Sequence, residues 1–401
     1  MAARIAQRMR AALARRESAG TLRTTTFADA PLIDFASNDY LGIARDAAVA
    51  EAHLVEELRR HATEPRANGS TGSRLLSGAC GAHDDFEAWL ATFHGREGAL
   101  LFGSGYAANA AALATLPQPG DLVLFDELSH NSSRFGLARG RQAASAAFAH
   151  NDAAAAARAL AEFRENAGPG PSALVAVEAV YSMDGDEAPL AALADACLAD
   201  GNACLVVDEA HATGLLGPGG RGACAALDAG LRAAVLAQVH TFGKAVGCHG
   251  AAVLGDAATR EYLANYAQPF IYSTAPPPGA SRLARRCYGA FAGPAGDARR
   301  AAVARLVDLF KRELGTRAAR LVPSATPIQA LLVPGAGRVQ DAAAAIRDRG
   351  FDVRPIRAPT VPAGAERLRV ILHAHNTEAE VRGLAAAIRD AVDGEDRLRA
   401  A

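Results

Sequence analysis

Arginine supplies nearly all the positive charge of this chain, yet a lysine stands at position 244, just after an apolar run that begins at Val235. Lysine carries an amine that can lose its proton, and arginine does not, so a lysine kept amid arginines points to Schiff-base or proton-transfer chemistry. Asp208 closes a second apolar run, Cys204-Leu205-Val206-Val207, and His211 lies just beyond it. Ser182 follows a run ending at Val180, and Ser129-His130-Asn131 follows one ending at Asp126. Gly103-Ser104-Gly105-Tyr106 follows another run and opens a helical stretch. Together these residue types fit a phosphorylated pyridine coenzyme. The lysine amine takes its aldehyde, and an aspartate facing the ring nitrogen keeps that nitrogen protonated. A helix N-terminus behind a glycine-rich turn offers N–H groups and a favourable dipole to the phosphate. A histidine can stack on the ring or hydrogen-bond its phenolic oxygen.

These groups require one crevice. In open α/β sheets ligands bind beyond the carboxyl ends of the strands. Short apolar runs closed by turn signals predict strands over 99–102, 122–126, 173–180, 204–208, 235–242 and 251–254. Helical stretches over 107–116, 153–165 and 189–200 lie between several of them. That alternation predicts an α/β fold with a parallel sheet covered on both faces. Ala275-Pro276-Pro277-Pro278-Gly279 then breaks the pattern. Beyond it come long helical stretches, a strand over 328–333, a helix near 340–349, a strand over 367–372 and a last helix over 378–392. The expected organisation is an N-terminal helix and linking segment over 1–45, a large α/β domain over 46–275 and a small C-terminal α+β domain over 276–401.

Composition narrows the partners. The chain has 401 residues, 50% hydrophobic and 21% charged, with a formal net charge of -1. A balanced charge without long single-sign blocks argues against nucleic acid and for a small-molecule partner. Six cysteines without a C-x-x-C pair read as reduced thiols of a cytoplasmic protein. No apolar run approaches the roughly 20 residues that span a bilayer, so no membrane partner is expected. Residues 1–16 are rich in Ala and Arg and lack acids. With few serines, they read as a surface helix rather than a transit peptide.

Several longer segments carry a family resemblance. Thr241-Phe242-Gly243-Lys244-Ala245-Val246-Gly247 is similar to the cofactor-lysine segment of the α-oxoamine synthases. Asp208-Glu209-Ala210-His211-Ala212-Thr213-Gly214, Ser37-Asn38-Asp39-Tyr40-Leu41-Gly42, Gly69-Ser70-Thr71-Gly72-Ser73-Arg74 and Ile271-Tyr272-Ser273-Thr274 resemble that family in order and spacing, as does the stretch from Val177 to Asp186. The resemblance implies the fold type I of pyridoxal-phosphate transferases, a mostly parallel central sheet covered by helices with a smaller C-terminal α+β domain. It also implies a homodimer.

By the same resemblance Lys244 is the Schiff-base lysine and proton-transfer base, Asp208 pairs with the pyridinium nitrogen, and His130 stacks on the ring. His211 and Ser182 sit near the phenolic oxygen. Gly105, Tyr106 and Thr241 hold the phosphate, with Thr274 reaching it from a partner subunit. Arg369 and Asn38 are candidates for the amino-acid carboxylate, Ser73 for its side chain, and Arg23 and Thr360 for the acyl substrate. The segments Phe148-Ala149-His150-Asn151-Asp152 and Ile356-Arg357-Ala358-Pro359-Thr360-Val361-Pro362 resemble family members that use L-alanine and a pimeloyl thioester, on coenzyme A or acyl-carrier protein. Ala358, Val246 and Cys248-His249 depart from the family's usual pattern and bear mainly on the acyl pocket.

Rival motifs explain less. Gly103-Ser104-Gly105-Tyr106-Ala107-Ala108 spells a dinucleotide fingerprint, but a dehydrogenase leaves Lys244, Asp208 and His211 without a shared purpose. Asp208-Glu209-Ala210-His211 resembles a nucleotide-hydrolase motif, but Gly243-Lys244 lacks the phosphate loop such an enzyme needs. His373 and His375 alternate near a predicted strand, with no third metal ligand evident in sequence, so no metal is expected. A regulatory protein that has lost catalysis would be expected to lose the lysine, and Lys244 is retained.

Overall fold

The computed structural model describes residues 2–18, 21–23, 25, 32–64, 68–142 and 144–400. Contacts divide the chain into two units, residues 1–33 and 34–401. The first contains an exposed helix, Ala2–Ser18, as expected for the arginine-rich start. No helix among the described residues is long and apolar enough to cross a membrane.

The second unit is built on seven strands: β1 (Gly98–Phe102), β2 (Leu122–Asp126), β3 (Ala144–Phe148), β4 (Ala173–Glu178), β5 (Ala203–Asp208), β6 (Val235–Thr241) and β7 (Ala251–Gly255). Their spatial order is β1-β7-β6-β5-β4-β2-β3. The pairs β2–β3, β2–β4, β4–β5 and β5–β6 are parallel, while β7 is antiparallel to both neighbours. The sheet is therefore mostly parallel, as expected, with β7 as its antiparallel member. Two antiparallel pairings in series restore the direction of β1, so the carboxyl ends of β1, β2, β4, β5 and β6 meet at one edge. Chain order reverses between β2 and β4, which makes that edge a topological switch point. The strand β3 was absent from the sequence reading.

β1, β4 and β7 are buried along their whole length, which explains their uninterrupted apolar runs. One face of the sheet, including Leu100, Val123, Leu174, Val206, Val239 and Val253, packs on Ala108, Ala111, Ala112 and Leu113 of the helix Gly105–Thr115. Each Leu or Val so buried is worth about 1.5–3 kcal/mol relative to exposure. Alanine on several sides of this helix lets it lie between the sheet and a second helix, Asn131–Leu137. Gly136 is where the two helices touch. A Cβ there would lie 2.9 Å from Ala110 O and 3.1 Å from Leu113 Cβ.

A second, three-stranded antiparallel sheet has the order β9 (Arg354–Ile356), β10 (Arg367–Ile371), β8 (Ile328–Leu332). The helices Pro294–Leu314, Ala336–Asp348 and Glu378–Ala400 belong to the same stretch of chain. Arg367 and Arg369 alternate on the central strand β10 and so share a face. Arg367 pairs with Asp184, and Arg369 Nε donates to Ser182 O at 2.7 Å. This joins the small sheet to the loop after β4.

Gly136→Ala tests the helix contact. Forcing a methyl against Ala110 O costs roughly 1–3 kcal/mol, so the urea midpoint of the variant falls. An unchanged midpoint contradicts the packing described.

Candidate active site

The strand register brings the first two acids together. Glu178 and Asp208 are opposite one another on β4 and β5, so their side chains leave the same face a strand spacing of about 4.8 Å apart. Both are nearly fully buried. Lys244 follows β6 on the same edge, in the turn after Thr241. Burial removes water from its ammonium and pulls its pKa down to about 8, while Asp208 and Glu178 oppose that fall and Arg369 adds to it. The Glu178 carboxyl is pushed upward, first by burial and then by the neighbouring Asp208. The result is a half-buried amine that gives up its proton near neutrality.

His130 follows β2, and its backbone N–H donates to Glu178 Oε1 at 2.7 Å. Its pKa is lowered, first by desolvation and then through Lys244, with Asp208 acting the other way. The ring remains exposed on the crevice side. Asp208 is held from behind: Asn109 Nδ2 donates to its Oδ2 at 2.6 Å, and Ala210 N–H donates to Oδ1 at 2.8 Å. His211 is buried, and its pKa lies well below the ordinary value, chiefly by desolvation. Its Nδ1 lies 2.6 Å from the Tyr40 hydroxyl, which also reaches Asn38 Oδ1 at 3.2 Å. Arg369 Nη2 donates to the same Asn38 oxygen at 3.1 Å. Arg369, Asn38, Tyr40 and His211 thus form one connected set leading toward Lys244.

The edge at β1 has the form of an anion cradle. Gly105 starts its helix, and Ser104 accepts the N–H of Ala107 through Oγ and that of Ala108 through its carbonyl. A first helical turn leaves further N–H groups for a ligand. A Cβ on residue 105 would meet Thr241 Cγ2 at 2.4 Å, so only glycine allows β6 and this helix to close up. Thr241 Oγ1 is buried there without a hydrogen-bond partner. An orphaned hydroxyl beside a helix start is what a phosphate would satisfy. Pyridoxal phosphate therefore fits: Lys244 for the aldehyde, Asp208 for the ring nitrogen, and Gly105, Tyr106 and Thr241 for the phosphate.

Ser73 and Thr274 face each other across an isolated antiparallel bridge, and Thr274 is exposed. No hydrogen bond among the described residues ties either to Lys244, Asp208 or His130. Thr360 is exposed on the turn after the Ala358–Pro359 bond, with its N–H on Arg357 O. Arg23 is exposed in the N-terminal unit. Ser182 is partly buried beside Arg369.

The sequence reading missed Glu178, Asn109, Ser132 and Tyr40. Glu178 ends its strand as Asp208 does, but in sequence it lies inside an apolar run that continues to Val180. It also passed over what His150 holds. Desolvation would lower the His150 pKa, but hydrogen bonds to Asp126 and Asp186 overturn that and raise it to about 9.

Asp34 supplies the third group near His373 and His375 that sequence did not show, with ligand atoms within 4.8 Å of one another. Two of the three are already engaged: Asp34 accepts from Ala36, Ser37 and Arg45, and His373 lies between Ser37 O and Asn376 Oδ1, while both His375 ring nitrogens are buried without a hydrogen-bond partner. We read this cluster as an ion network that fixes the segment before Asn38. A cleft of about 970 Å³ lined by Arg60, Glu64, Arg282 and Arg286 contains none of the residues assigned above. All six cysteines are unpaired thiols.

The profile described as aminotransferase class I and II matches residues 30–388. A relative from Emericella nidulans named 8-amino-7-oxononanoate synthase is 38% identical over 397 residues, covering 94% of this chain and 93% of its own. A relative of the same name from Azoarcus sp. is 41% identical, covering 88% and 86%. Among solved structures, a serine palmitoyltransferase from S. paucimobilis with bound PLP–myriocin aligns with a TM-score of 0.84 at 27% identity, covering 96% of this chain and 97% of that one. An 8-amino-7-oxononanoate synthase from Francisella tularensis aligns with a TM-score of 0.71 at 25% identity, covering 91% and 99%. These likenesses agree with the fit of the residues: the cofactor is pyridoxal phosphate.

Two outcomes check this site. Cofactor capture by the apoprotein needs a neutral Lys244 amine, so its rate rises with pH and levels off above about 8. A rate still climbing tenfold per pH unit beyond that plateau contradicts the lowered pKa. Thr241→Val removes one phosphate hydrogen bond and weakens cofactor affinity roughly 5–10-fold, measured by the visible absorbance of the bound coenzyme.

Proposed function

The chain belongs to the aminotransferase class I and II family, and from that premise we propose that it condenses L-alanine with a pimeloyl thioester. The products are 8-amino-7-oxononanoate, CO2 and free thiol, in biotin biosynthesis. The relatives named 8-amino-7-oxononanoate synthase support this choice of reaction. The observation that carries the chemistry is the half-buried Lys244 amine, whose pKa is drawn down toward neutrality among Asp208, Glu178 and Arg369.

The coenzyme supplies an aldehyde for amine capture and a protonated ring that accepts an electron pair. The chain's own groups do the rest. Asn109 and the Ala210 amide donate to Asp208 and orient its carboxylate, which would face the coenzyme's ring nitrogen. His130 would lie against the ring, and His211 and Ser182 would stand near its phenolic oxygen. Arg369 and Asn38, already paired, receive the alanine carboxylate. Lys244 Nζ, neutral, takes the Cα proton of alanine and returns one at the end. The bond formed joins the alanine Cα to the thioester carbonyl carbon, and the bonds broken release thiol and CO2.

The reading extends to assembly. Residues 46–275 form the cofactor-holding domain, and 276–401 the small domain that lends Arg369. The protein is a cytoplasmic homodimer in which the exposed Thr274 reaches the phosphate in the partner subunit. Arg23 and Thr360 line the path of the acyl chain, and Ser73 leaves room for the alanine methyl. The acyl donor is a coenzyme A or acyl-carrier-protein ester.

A second reading within the same chemistry is a synthase that uses glycine, as in 2-amino-3-ketobutyrate ligases and 5-aminolevulinate synthases. The likeness to a serine palmitoyltransferase adds serine to the amino acids worth comparing. Thiol release across a matrix of alanine, glycine and serine with pimeloyl, acetyl, succinyl and palmitoyl thioesters separates them. Alanine with the pimeloyl thioester is expected to give the highest kcat/KM. A clear maximum at any other pair moves the chain to a neighbouring synthase.

A further inference from the structure

The side of His130 turned away from the crevice is tied into a directional hydrogen-bond chain. The Ser132 backbone N–H donates to His130 Nδ1 at 3.2 Å, and a backbone amide can only donate. Nδ1 therefore carries the lone pair. Ser132 Oγ lies 2.7 Å from the same nitrogen. Asn109 sets the direction of that hydroxyl. Its Nδ2 donates both to Asp208 Oδ2 at 2.6 Å and to Ser132 Oγ at 3.2 Å. The amide orientation is forced, because turning the Asn109 oxygen toward Asp208 would set two acceptors together. Ser132 Oγ, having accepted from Asn109, keeps its own proton for His130 Nδ1. Asn109 and Ser132 are buried, with Ser132 at 0% exposure, so water does not compete for either link. The close helix contact at Gly136 keeps the two residues within reach.

We infer that Asn109 and Ser132 are positioning residues that hold His130 neutral with its proton on Nε2, so that it presents a hydrogen-bond donor to the crevice. The partner it takes is then an oxygen acceptor on cofactor or substrate, not a protonated amine. The link also couples His130 to Asp208: the aspartate anchors the amide that fixes the histidine. Other charged and titratable groups facing His130 are Lys244 after β6, Asp208 and His211 after β5, and Glu178 at the end of β4, whose carboxyl takes the His130 N–H. Lys244 disfavours a cationic ring, and Asp208 favours one. Two donors aimed at Nδ1 settle the balance for the neutral form. The inference rests on the proposed function only in taking this crevice as the reacting site.

The test uses the whole apoprotein, without substrate, and reads histidine nitrogens by NMR after selective labelling. His130→Gln identifies the His130 signals by their loss. The expected result is an Nε2-protonated, neutral ring for His130 throughout pH 7 to 8. Ser132→Ala and Asn109→Ala each remove part of the chain and raise the His130 pKa by roughly half a unit or more. Ser132→Thr, which keeps the hydroxyl, restores the parent titration. A parent His130 that is protonated on Nδ1, or doubly protonated in that range, overturns the inference whether or not any variant folds. Parent-like titration in both alanine variants overturns it as well. Because no turnover is measured, these results stand apart from the choice of amino acid and thioester.

Discussion

A primary amine partly withdrawn from water is the constraint to which the rest of the structure answers. Burial alone would strip the proton from Lys244, and the two acids at the ends of β4 and β5 would hold it on. The opposition leaves the amine titrating close to neutral pH, where it can attack a carbonyl and also carry a proton. Neither extreme would serve. An exposed lysine stays charged, and a lysine buried without Asp208 and Glu178 could not take up a proton. Arg369 tips the balance toward the neutral amine while its guanidinium remains committed to Ser182 O and Asn38.

The fold sustains this by converting strand order into proximity. Reversal of chain order between β2 and β4 opens the edge, and the ends of β1, β2, β4, β5 and β6 deliver the site's groups to it. Behind them, Asn109 and Ser132 link Asp208 to His130 through a helix pair that only a glycine lets approach. On the other flank, Tyr40 joins His211 to Asn38 and Arg369. Polar groups that burial would penalise are satisfied by one another, which fixes their orientation before any ligand arrives.

What was legible in the sequence follows from what each signal depends on. Lys244 and Asp208 stand at the ends of apolar runs, and position relative to a run is a local property. The buried strands were readable within two residues at either end because their hydrophobicity is continuous. The direction of β7 was not, since an apolar run carries no sense of up or down. β3 was invisible for a different reason. Ala-Ser-Ala-Ala-Phe has no β-branched residue, and as an edge strand it is exposed except at Phe148. Glu178 gains its meaning only from register with Asp208, and Asn109 only from the face its alanine-rich helix turns to Ser132. Both are tertiary facts. The partners of His373 and His375 belong to the same class, because Asp34 is more than 300 residues away in the chain and nothing local announces it.

The central claim is that Lys244 is the reactive amine, and covalent trapping tests it most directly. The protein is incubated with pyridoxal phosphate, reduced with borohydride and mapped by peptide mass spectrometry. The account predicts one stoichiometric pyridoxyl adduct on Lys244, with Lys311 unmodified because its ammonium is bound to Ser324 O at 2.5 Å. An adduct confined to Lys311, or no adduct at 244 at saturating coenzyme, contradicts it.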